Sequence, residues 1–198
     1  MASEVDICNL ALTKLGEEPI ISLTADSKAG RLCNLHYALA RDDTLRSHPW
    51  NFAVGRESLA LSTTSPAYDF SNQFALPTDF LRVISTDLPR GAVWKVEGKF
   101  ILTDSATLKI RYVKRITDTE QFDALFVQAL AARIAWELAI PLTDTRTLQE
   151  QMFNLFNAKI SEARTVDAGE GTPDQIEAST WLDSRHVYRG STWSPDQV

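Results

Sequence analysis

Two pairs of adjacent carboxylates are the first candidates for acid–base chemistry in this sequence, Glu17-Glu18 and Asp42-Asp43. An acid–base couple must place its two carboxyl groups on either side of a substrate bond, several ångströms apart. Neighbouring residues on a helix or turn point in different directions instead. We therefore do not expect either pair to form a catalytic couple.

The three histidines, His36, His48 and His186, fall on a helix face, at a helix exit and in the C-terminal region. No two of them have the spacing of a metal site. The sequence also contains neither a Gly-x-Ser-x-Gly elbow nor a glycine-rich phosphate loop. His36 lies on an apolar helix face, where a hydrogen-bonded core histidine is a better interpretation than a ligand. The sequence therefore predicts no catalytic residue, no metal site and no cofactor.

The composition is that of a globular protein with a substantial core, since 44% of the residues are hydrophobic and 23% are charged. The net charge is −6 and the pI is about 5.1. This balance argues against a protein that grips nucleic acid along its backbone, because such proteins normally carry a basic patch. It is compatible with a surface that DNA passes without being held.

Cys8 and Cys33 both lie on apolar faces of predicted helices, so we expect buried, reduced thiols rather than a disulfide or metal pair. The N-terminus lacks the basic and apolar regions of a signal peptide. No apolar run approaches the roughly 20 residues needed to cross a bilayer. We therefore expect no membrane segment, and a protein used in a cytoplasm or in a particle assembled there.

Two helices are predicted within the first fifty residues. Ser3 is a good N-cap and Gly16 a typical stop, which places the first helix at about residues 3–15. The second helix begins after residue 26 or 27. It ends before Pro49, because the residue that precedes a proline disfavours the α conformation.

Residues 51–117 show a different pattern, in which short β-branched and aromatic runs alternate with turn formers. Lys109 and Arg111 alternate with apolar neighbours, as in a strand with one face in water. This pattern predicts a small antiparallel β module. Its expected strands cover residues 81–86, 93–96, 100–103 and 107–113.

Helices return near residue 118. Residues 125–140 are apolar over most of a helix circumference, so this helix must be buried on several sides, either centrally or partly against another subunit. We expect Pro141 to end it. A fourth helix follows Asp144, and Phe153 widens its apolar stripe beyond what three partner helices need.

The predicted fold class is therefore α+β, with a helical core of about four helices split by an inserted small antiparallel β module and followed by an extended C-terminal arm. The core is assigned to residues 1–50 and 118–165, the β module to residues 51–117 and the arm to residues 166–198. The two helical pairs must close on each other. Loop-closure entropy permits this, because it grows only slowly with the length of the insert.

The expected arm combines an acidic, glycine-containing stretch with several aromatic side chains. Disordered segments are depleted in aromatic residues, so we interpret this region as an arm that folds onto a partner through aromatic and arginine anchors. The alternative is an arm that packs on the protein's own β module. The anchors are Trp181, Arg185, His186, Tyr188, Arg189 and Trp193.

The first fifty-three residues carry an ordered set of residues that is more specific than any one of its members. These residues are Leu12, Leu15, Gly16, Pro19, Ile20, Ser22, Leu23, Asp26, Ser27, Tyr37, Arg41, Asp42, Leu45, Arg46, His48, Pro49, Trp50, Asn51 and Phe52. The set resembles the tail tubular protein A family, the head-to-tail adaptors of short-tailed bacteriophages. Beyond residue 53 the resemblance is one of layout, with a β insert, a second helical pair and a C-terminal extension.

This resemblance implies a structural virion protein at the head–tail junction, assembled in the host cytoplasm as a twelve-fold ring beneath the portal. The implied partners are the portal protein, further copies in a dodecamer, a distal nozzle-type tail protein, and genomic DNA that passes without sequence-specific binding. In such adaptors the helical core makes the ring and the C-terminal arm binds the portal. The anchors named above are therefore the expected portal-binding residues. The expected ring interface comprises Phe126, Arg133, Trp136 and Phe153.

Two other function classes stay open. A tail-associated glycan hydrolase would use two carboxylates of the β module, where Asp69, Asp79 and Asp87 are available. A monomeric regulatory or binding domain is the third interpretation. Mass measurement of the protein alone and then with a portal would distinguish this class from an adaptor.

Overall fold

The computed structural model describes residues 2–171, which form four helices and two three-stranded antiparallel sheets. The α+β fold class expected from the sequence is confirmed. By its internal contacts the chain divides between Asp167 and Ala168, and the packing described below is that of the first unit. The helices are α1 (Glu4–Leu15), α2 (Lys28–Arg46), α3 (Ala124–Thr143) and α4 (Arg146–Gly169).

Side-chain caps fix the starts of α1 and α2 at the predicted positions. The Ser3 hydroxyl accepts the backbone N–H of Asp6 at 3.1 Å, and the Asp6 carboxylate accepts the N–H of Ser3 at 2.9 Å. Gly16 ends α1 with φ of 75°, a left-handed conformation that glycine adopts without strain. The Ser27 hydroxyl caps α2 by accepting the N–H of Gly30 at 3.0 Å.

The expectation that Pro141 ends the third helix is wrong, because α3 continues to Thr143. Proline lacks an N–H and therefore removes one hydrogen bond from a helix. Near the C-terminus this loss is small, and other contacts secure the last turn. The Thr143 hydroxyl donates to the carbonyl of Ala139 at 2.7 Å. Asp144 follows the helix in a left-handed conformation, and its backbone N–H donates to the carbonyl of Ile140 at 2.9 Å.

Helix α3 is the central element of the helical core. Helices α1 and α2 pack against it, and ten of its residues are buried. Within residues 2–171 it is also the one helix whose length and composition would let it cross a bilayer, which the sequence did not lead us to expect. Because 56% of its most apolar window is buried inside the protein, we interpret it as a core helix. Cys8 and Cys33 are buried free thiols, as predicted.

The β module contains two strands that the sequence did not predict, at residues 54–58 and 72–75. The strands pair in the orders β1-β6-β3 and β2-β5-β4, which we call the inner sheet and the outer sheet. The strands are β1 (Val54–Ser58), β2 (Asn72–Ala75), β3 (Phe80–Thr86), β4 (Trp94–Glu97), β5 (Phe100–Thr103) and β6 (Lys109–Lys114).

The inner sheet lies between the helices and the outer sheet. Its residues Leu81 and Val113 belong to the helical core, whereas Ile110 and Tyr112 of the same sheet pack with Phe74 and Ile101 of the outer sheet. Successive residues of a strand point to opposite faces, so β6 alternates between the two cores. The β insert is therefore joined to the helices by one face of the inner sheet.

Candidate interaction surface

Helix α2 carries two apolar side chains, outside its core-facing side, that stay exposed in the part of the chain that the structure describes. Cys33 and Tyr37 face the core, whereas Leu35 and Leu39 are 63% and 65% exposed. The two leucines are four residues apart, so they lie on the same side of the helix. Single exposed leucines are common, but two neighbouring ones on a rigid helix form a patch that a partner can cover.

A network of charged side chains lies beside these two leucines and holds α2 to α3. His36 Nδ1 lies 3.1 Å from Glu137 Oε2, and Arg133 Nε donates to Glu137 Oε1 at 2.7 Å. Arg133 also reaches Asp43 on α2, with an N–O distance of 3.2 Å. His36 was expected to be a hydrogen-bonded core histidine. It is hydrogen-bonded, but it lies at the edge of the core with 28% of its side chain exposed.

Arg133 links this network to an aromatic cluster on α3 and α4. Its guanidinium carbon lies 4.8 Å from the ring centroid of Trp136 and 5.5 Å from that of Phe156, within the range of cation–π attraction. The Trp136 ring contacts Phe153 at 5.1 Å between centroids, and Phe153 is 42% exposed. An arginine stacked on a half-exposed aromatic cluster is the composition typical of an interface anchor.

These residues form one continuous surface across three helices. Leu39 precedes Asp43 by one helical turn, Asp43 contacts Arg133, and Arg133 stacks on the aromatic cluster. We call this surface the α2–α3–α4 face. It comprises Leu35, His36, Leu39, Asp43, Arg133, Trp136, Glu137, Phe153 and Phe156.

Three of the four residues expected at the ring interface, Arg133, Trp136 and Phe153, come together on this face. Phe126 does not, and its assignment to an interface is wrong. Phe126 is fully buried, and its ring packs 5.2 Å from that of Trp50 within the protomer. A side chain without exposed surface cannot contact a neighbouring copy of the folded chain. The expected arm anchors, Trp181, Arg185, His186, Tyr188, Arg189 and Trp193, lie outside the described residues.

The position of α4 is set by a partly buried contact at its C-terminal end. The Asp167 carboxylate accepts the backbone N–H of Asn51 at 2.9 Å and lies 3.1 Å from His48 Nε2. Burial lowers the pKa of His48, although the nearby Asp167 carboxylate acts to raise it. The contact joins the exit of α2 to a helix more than a hundred residues later in the chain. It therefore holds the α4 part of the face in place.

The carboxylates proposed for a glycan hydrolase are dispersed. Asp87, Asp69 and Asp79 line three different cavities, of about 470, 340 and 510 Å³. Asp79 has a carboxylate neighbour in Glu57, since both accept the Tyr112 hydroxyl, at 3.1 and 3.4 Å. Burial is the main cause that raises the pKa of Tyr112, with the two carboxylates adding to it. The shared hydroxyl thus engages both carboxylates in a contact that holds strands together.

The sequence carried a signal for part of this face and none for the rest. Leu35 and Leu39 are four residues apart, so a second apolar pair on α2 could have been recognised beside the core stripe. The contacts of Arg133 with Asp43 and with Phe156 cross between helices and depend on the tertiary packing.

Comparison with known proteins adds no assignment. The chain matches no family model and no curated protein.

Proposed function

We propose that this protein is a structural adaptor of the head-to-tail junction of a short-tailed phage particle, which assembles as a ring of identical copies on the portal. The single observation that carries the proposal is the α2–α3–α4 face. It leaves Leu35, Leu39 and Phe153 exposed, and the Arg133–Asp43 ion pair joins α3 to the helix that carries the two leucines. The ordered set of residues 12–52 that resembles the tail tubular protein A family indicates which kind of assembly would use such a face.

The arrangement of this face suits a ring. A closed ring of identical subunits needs a heterologous interface, in which one surface of each copy meets a different surface of the next. A stable interface buries about 800 Å² on each partner and concentrates its affinity in a few aromatic and arginine anchors. Trp136, Phe153 and Arg133 provide such anchors, and Leu35 and Leu39 extend the apolar area beside them.

The net charge of −6 is also consistent with this role. Acidic walls do not retain phosphate groups, so an acidic subunit is suited to a channel through which DNA must pass. An arm repeated around a ring would gain avidity, so that moderate contacts in each copy could hold the ring firmly on the portal. We therefore assign portal binding to residues 172–198 and ring contacts to the helical core.

Imaging of the purified protein with the portal of the same particle tests this proposal. We expect an additional ring of density on one end of the portal, with the portal's rotational symmetry. Portal rings that stay unchanged at saturating protein concentration would contradict the adaptor assignment. A monomeric mass without portal would not, because ring assembly can require the portal as a template.

A truncation that ends after Gly171 tests the role of the arm. Asp167 must be retained, because its carboxylate holds α4 against the exit of α2. We expect the truncated protein to keep the wild-type melting temperature and to lose portal binding. Unchanged affinity for the portal would show that residues 172–198 do not form the portal-binding arm.

A further inference from the structure

Strand β4 lies at one edge of the outer sheet, and its free side is uncovered within residues 2–171. It pairs with β5 on one side and with no other strand of the described chain. All four of its residues are exposed, and so are residues 91–93 and 98–99 on either side of it. An open strand edge presents unpaired backbone N–H and C=O groups, which can pair with a strand of another chain.

Two other edge strands carry features that oppose such pairing. Residues Leu61 and Ser62 run along the free side of β2, where Leu61 forms a bridge with Phe74 and the Ser62 N–H donates to the Gln73 carbonyl at 2.9 Å. The pairing of β3 with β6 contains two register shifts, which twist the edge. In the part of the chain that the structure describes, β4 has neither feature, and its pairing with β5 is regular along its whole length.

The side chains of β4 divide into an apolar face and a charged face. Trp94 and Val96 are 38% and 39% exposed and lie on one face of the strand. Lys95 and Glu97 lie on the other face, where their side chains pair at 3.0 Å. The order along the strand is therefore apolar, positive, apolar and negative.

This order makes β4 complementary to a second copy of itself in one antiparallel register. When Val96 lies opposite Val96 of the second copy, Lys95 lies opposite Glu97 in both halves of the pair, because the two strands run in opposite directions. Opposite charges directly across an antiparallel pair stabilise it, and like charges destabilise it. A register centred on Lys95 or on Glu97 would place like charges opposite each other. The charge pattern therefore favours the register centred on Val96.

We propose that β4 pairs with β4 of a second copy and forms a two-fold dimer with one continuous six-stranded sheet, to which each copy contributes its outer sheet. The two Val96 side chains meet at the two-fold axis. Trp94 of each copy lies diagonally beside Val96 of the other, within reach of an aromatic ring. This contact covers apolar surface that the single protomer leaves exposed.

The interface is isologous, since the same residues of both copies form it, and it differs in this respect from the heterologous contact of a ring. It is therefore independent of the adaptor proposal. A strand of four residues is shorter than a standard interface of about 800 Å² on each partner requires, so the dimer should be weak and should depend on protein concentration. Pairing also protects an edge that would otherwise accept strands of other chains.

Sedimentation of the full-length protein without portal, from about 1 μM to about 1 mM, tests this contact. The variants are Lys95→Glu, Glu97→Lys and the double reversal Lys95→Glu/Glu97→Lys. Both side chains are exposed, so the fold should tolerate the changes. The control is Lys159→Glu, which makes the same change of charge in another exposed ion pair, that of Lys159 with Glu162 at 2.9 Å on α4.

We expect wild type and the control to dimerise as the concentration rises. Each single reversal places like charges opposite each other at two positions and should weaken dimerisation at least about tenfold. The double reversal should restore it, because opposite charges face each other again. An equimolar mixture of the two single-reversal variants should also form dimers, since one variant supplies two carboxylates and the other two ammonium groups.

A cysteine at the two-fold axis tests the register itself. Opposite residues of an antiparallel pair have Cα atoms about 4.5–5.5 Å apart, a distance that a disulfide can span. Oxidised glutathione, which takes up the two electrons and two protons of the paired thiols, should therefore convert Val96→Cys to a covalent dimer. Val93→Cys is the control and should stay monomeric in denaturing gels. The native Cys8 and Cys33 are buried and should not react.

Four results would overturn the proposal. The first is a wild-type protein that stays monomeric over the whole concentration series. The second is dimerisation of both single reversals as strong as that of wild type. The third is a double reversal or a mixture of single reversals that does not dimerise, which would show that Lys95 and Glu97 are not opposite each other. The fourth is an equally large effect of Lys159→Glu, which would indicate a general effect of net charge.

Discussion

Asn51 binds Asp167 through two hydrogen bonds that join the start of the β module to the last turn of α4. The backbone N–H of Asn51 donates to Asp167 Oδ1 at 2.9 Å, and its side-chain amide donates to the Asp167 carbonyl at 2.7 Å. That carbonyl is among the last four of α4, which have no partner within the helix. Asn51 therefore caps the C-terminal end of α4 and fixes it to the helical core.

Replacement of Asp167 by alanine should destabilise the folded protein by about 1–3 kcal/mol, since it removes hydrogen bonds to a largely buried carboxylate. The free energy of unfolding in urea measures this effect. Glu162→Ala on the same helix is the control, because Glu162 forms an exposed pair with Lys159 and should change stability by less than about 0.5 kcal/mol. Equal effects of the two substitutions would show that the contact does not hold α4.

The burial of His48, which lies beside this contact, predicts a loss of stability in acid. The folded state keeps the pKa of His48 below its ordinary value of 6.5, mainly through burial. As the pH falls through this value, the unfolded chain binds a proton that the folded chain resists, so the free energy of unfolding decreases. The decrease between about pH 7 and pH 5 should be smaller in His48→Gln. If the wild-type protein instead became more stable as the pH falls from 7 to 5, the attraction to Asp167 would have a larger effect on the pKa of His48 than burial has.

Trp50 supports the junction from inside the core. It is 1% exposed, its Nε1 donates to the Thr44 carbonyl at 3.0 Å, and its ring contacts Phe126. Trp50→Ala should cost about 3–5 kcal/mol in unfolding free energy, whereas Trp50→Phe keeps a ring and removes chiefly the hydrogen bond. Chemical denaturation of both variants measures the difference. A near-unchanged stability of Trp50→Ala would be incompatible with this packing.

Gly55 is required because the Tyr112 ring lies across it. A Cβ atom at residue 55 would come within 2.8 Å of Tyr112 Cε1. Gly55→Ala should therefore destabilise the protein by about 1–3 kcal/mol, as in other overpacked sites. In a Tyr112→Ala background the same substitution should cost much less, which a double-mutant cycle measures. If the effects of the two substitutions on the free energy of unfolding were additive, the cost of Gly55→Ala would not come from a clash with Tyr112.

The sequence predicted those parts of the fold that depend on local signals. Ser3, Asp6 and Gly16 set the ends of α1, and Ser27 sets the start of α2, because caps act within one turn. The two missed strands have weak local patterns. β1 contains Gly55, Arg56 and Glu57, and it becomes a strand through its pairing with β6.

The candidate sites depended more strongly on tertiary structure. The sequence identified Arg133, Trp136 and Phe153 by type and helical position, and the fold places them together. The assignment of Phe126 to the ring interface was wrong because, in a helix that is apolar on most sides, periodicity cannot show which side packs inside its own protomer.

The most direct test of the adaptor proposal is ring assembly on the portal by a Leu35→Glu/Leu39→Glu double variant, measured by mass photometry or sedimentation. Both leucines are more than 60% exposed, so the unfolding free energy should change little. Val93→Glu, at a 68% exposed position outside the α2–α3–α4 face, is the matched control. We predict that wild type and the control form complete rings on the portal and that the double variant does not. Full rings from a folded double variant would contradict the claim that this face joins neighbouring copies.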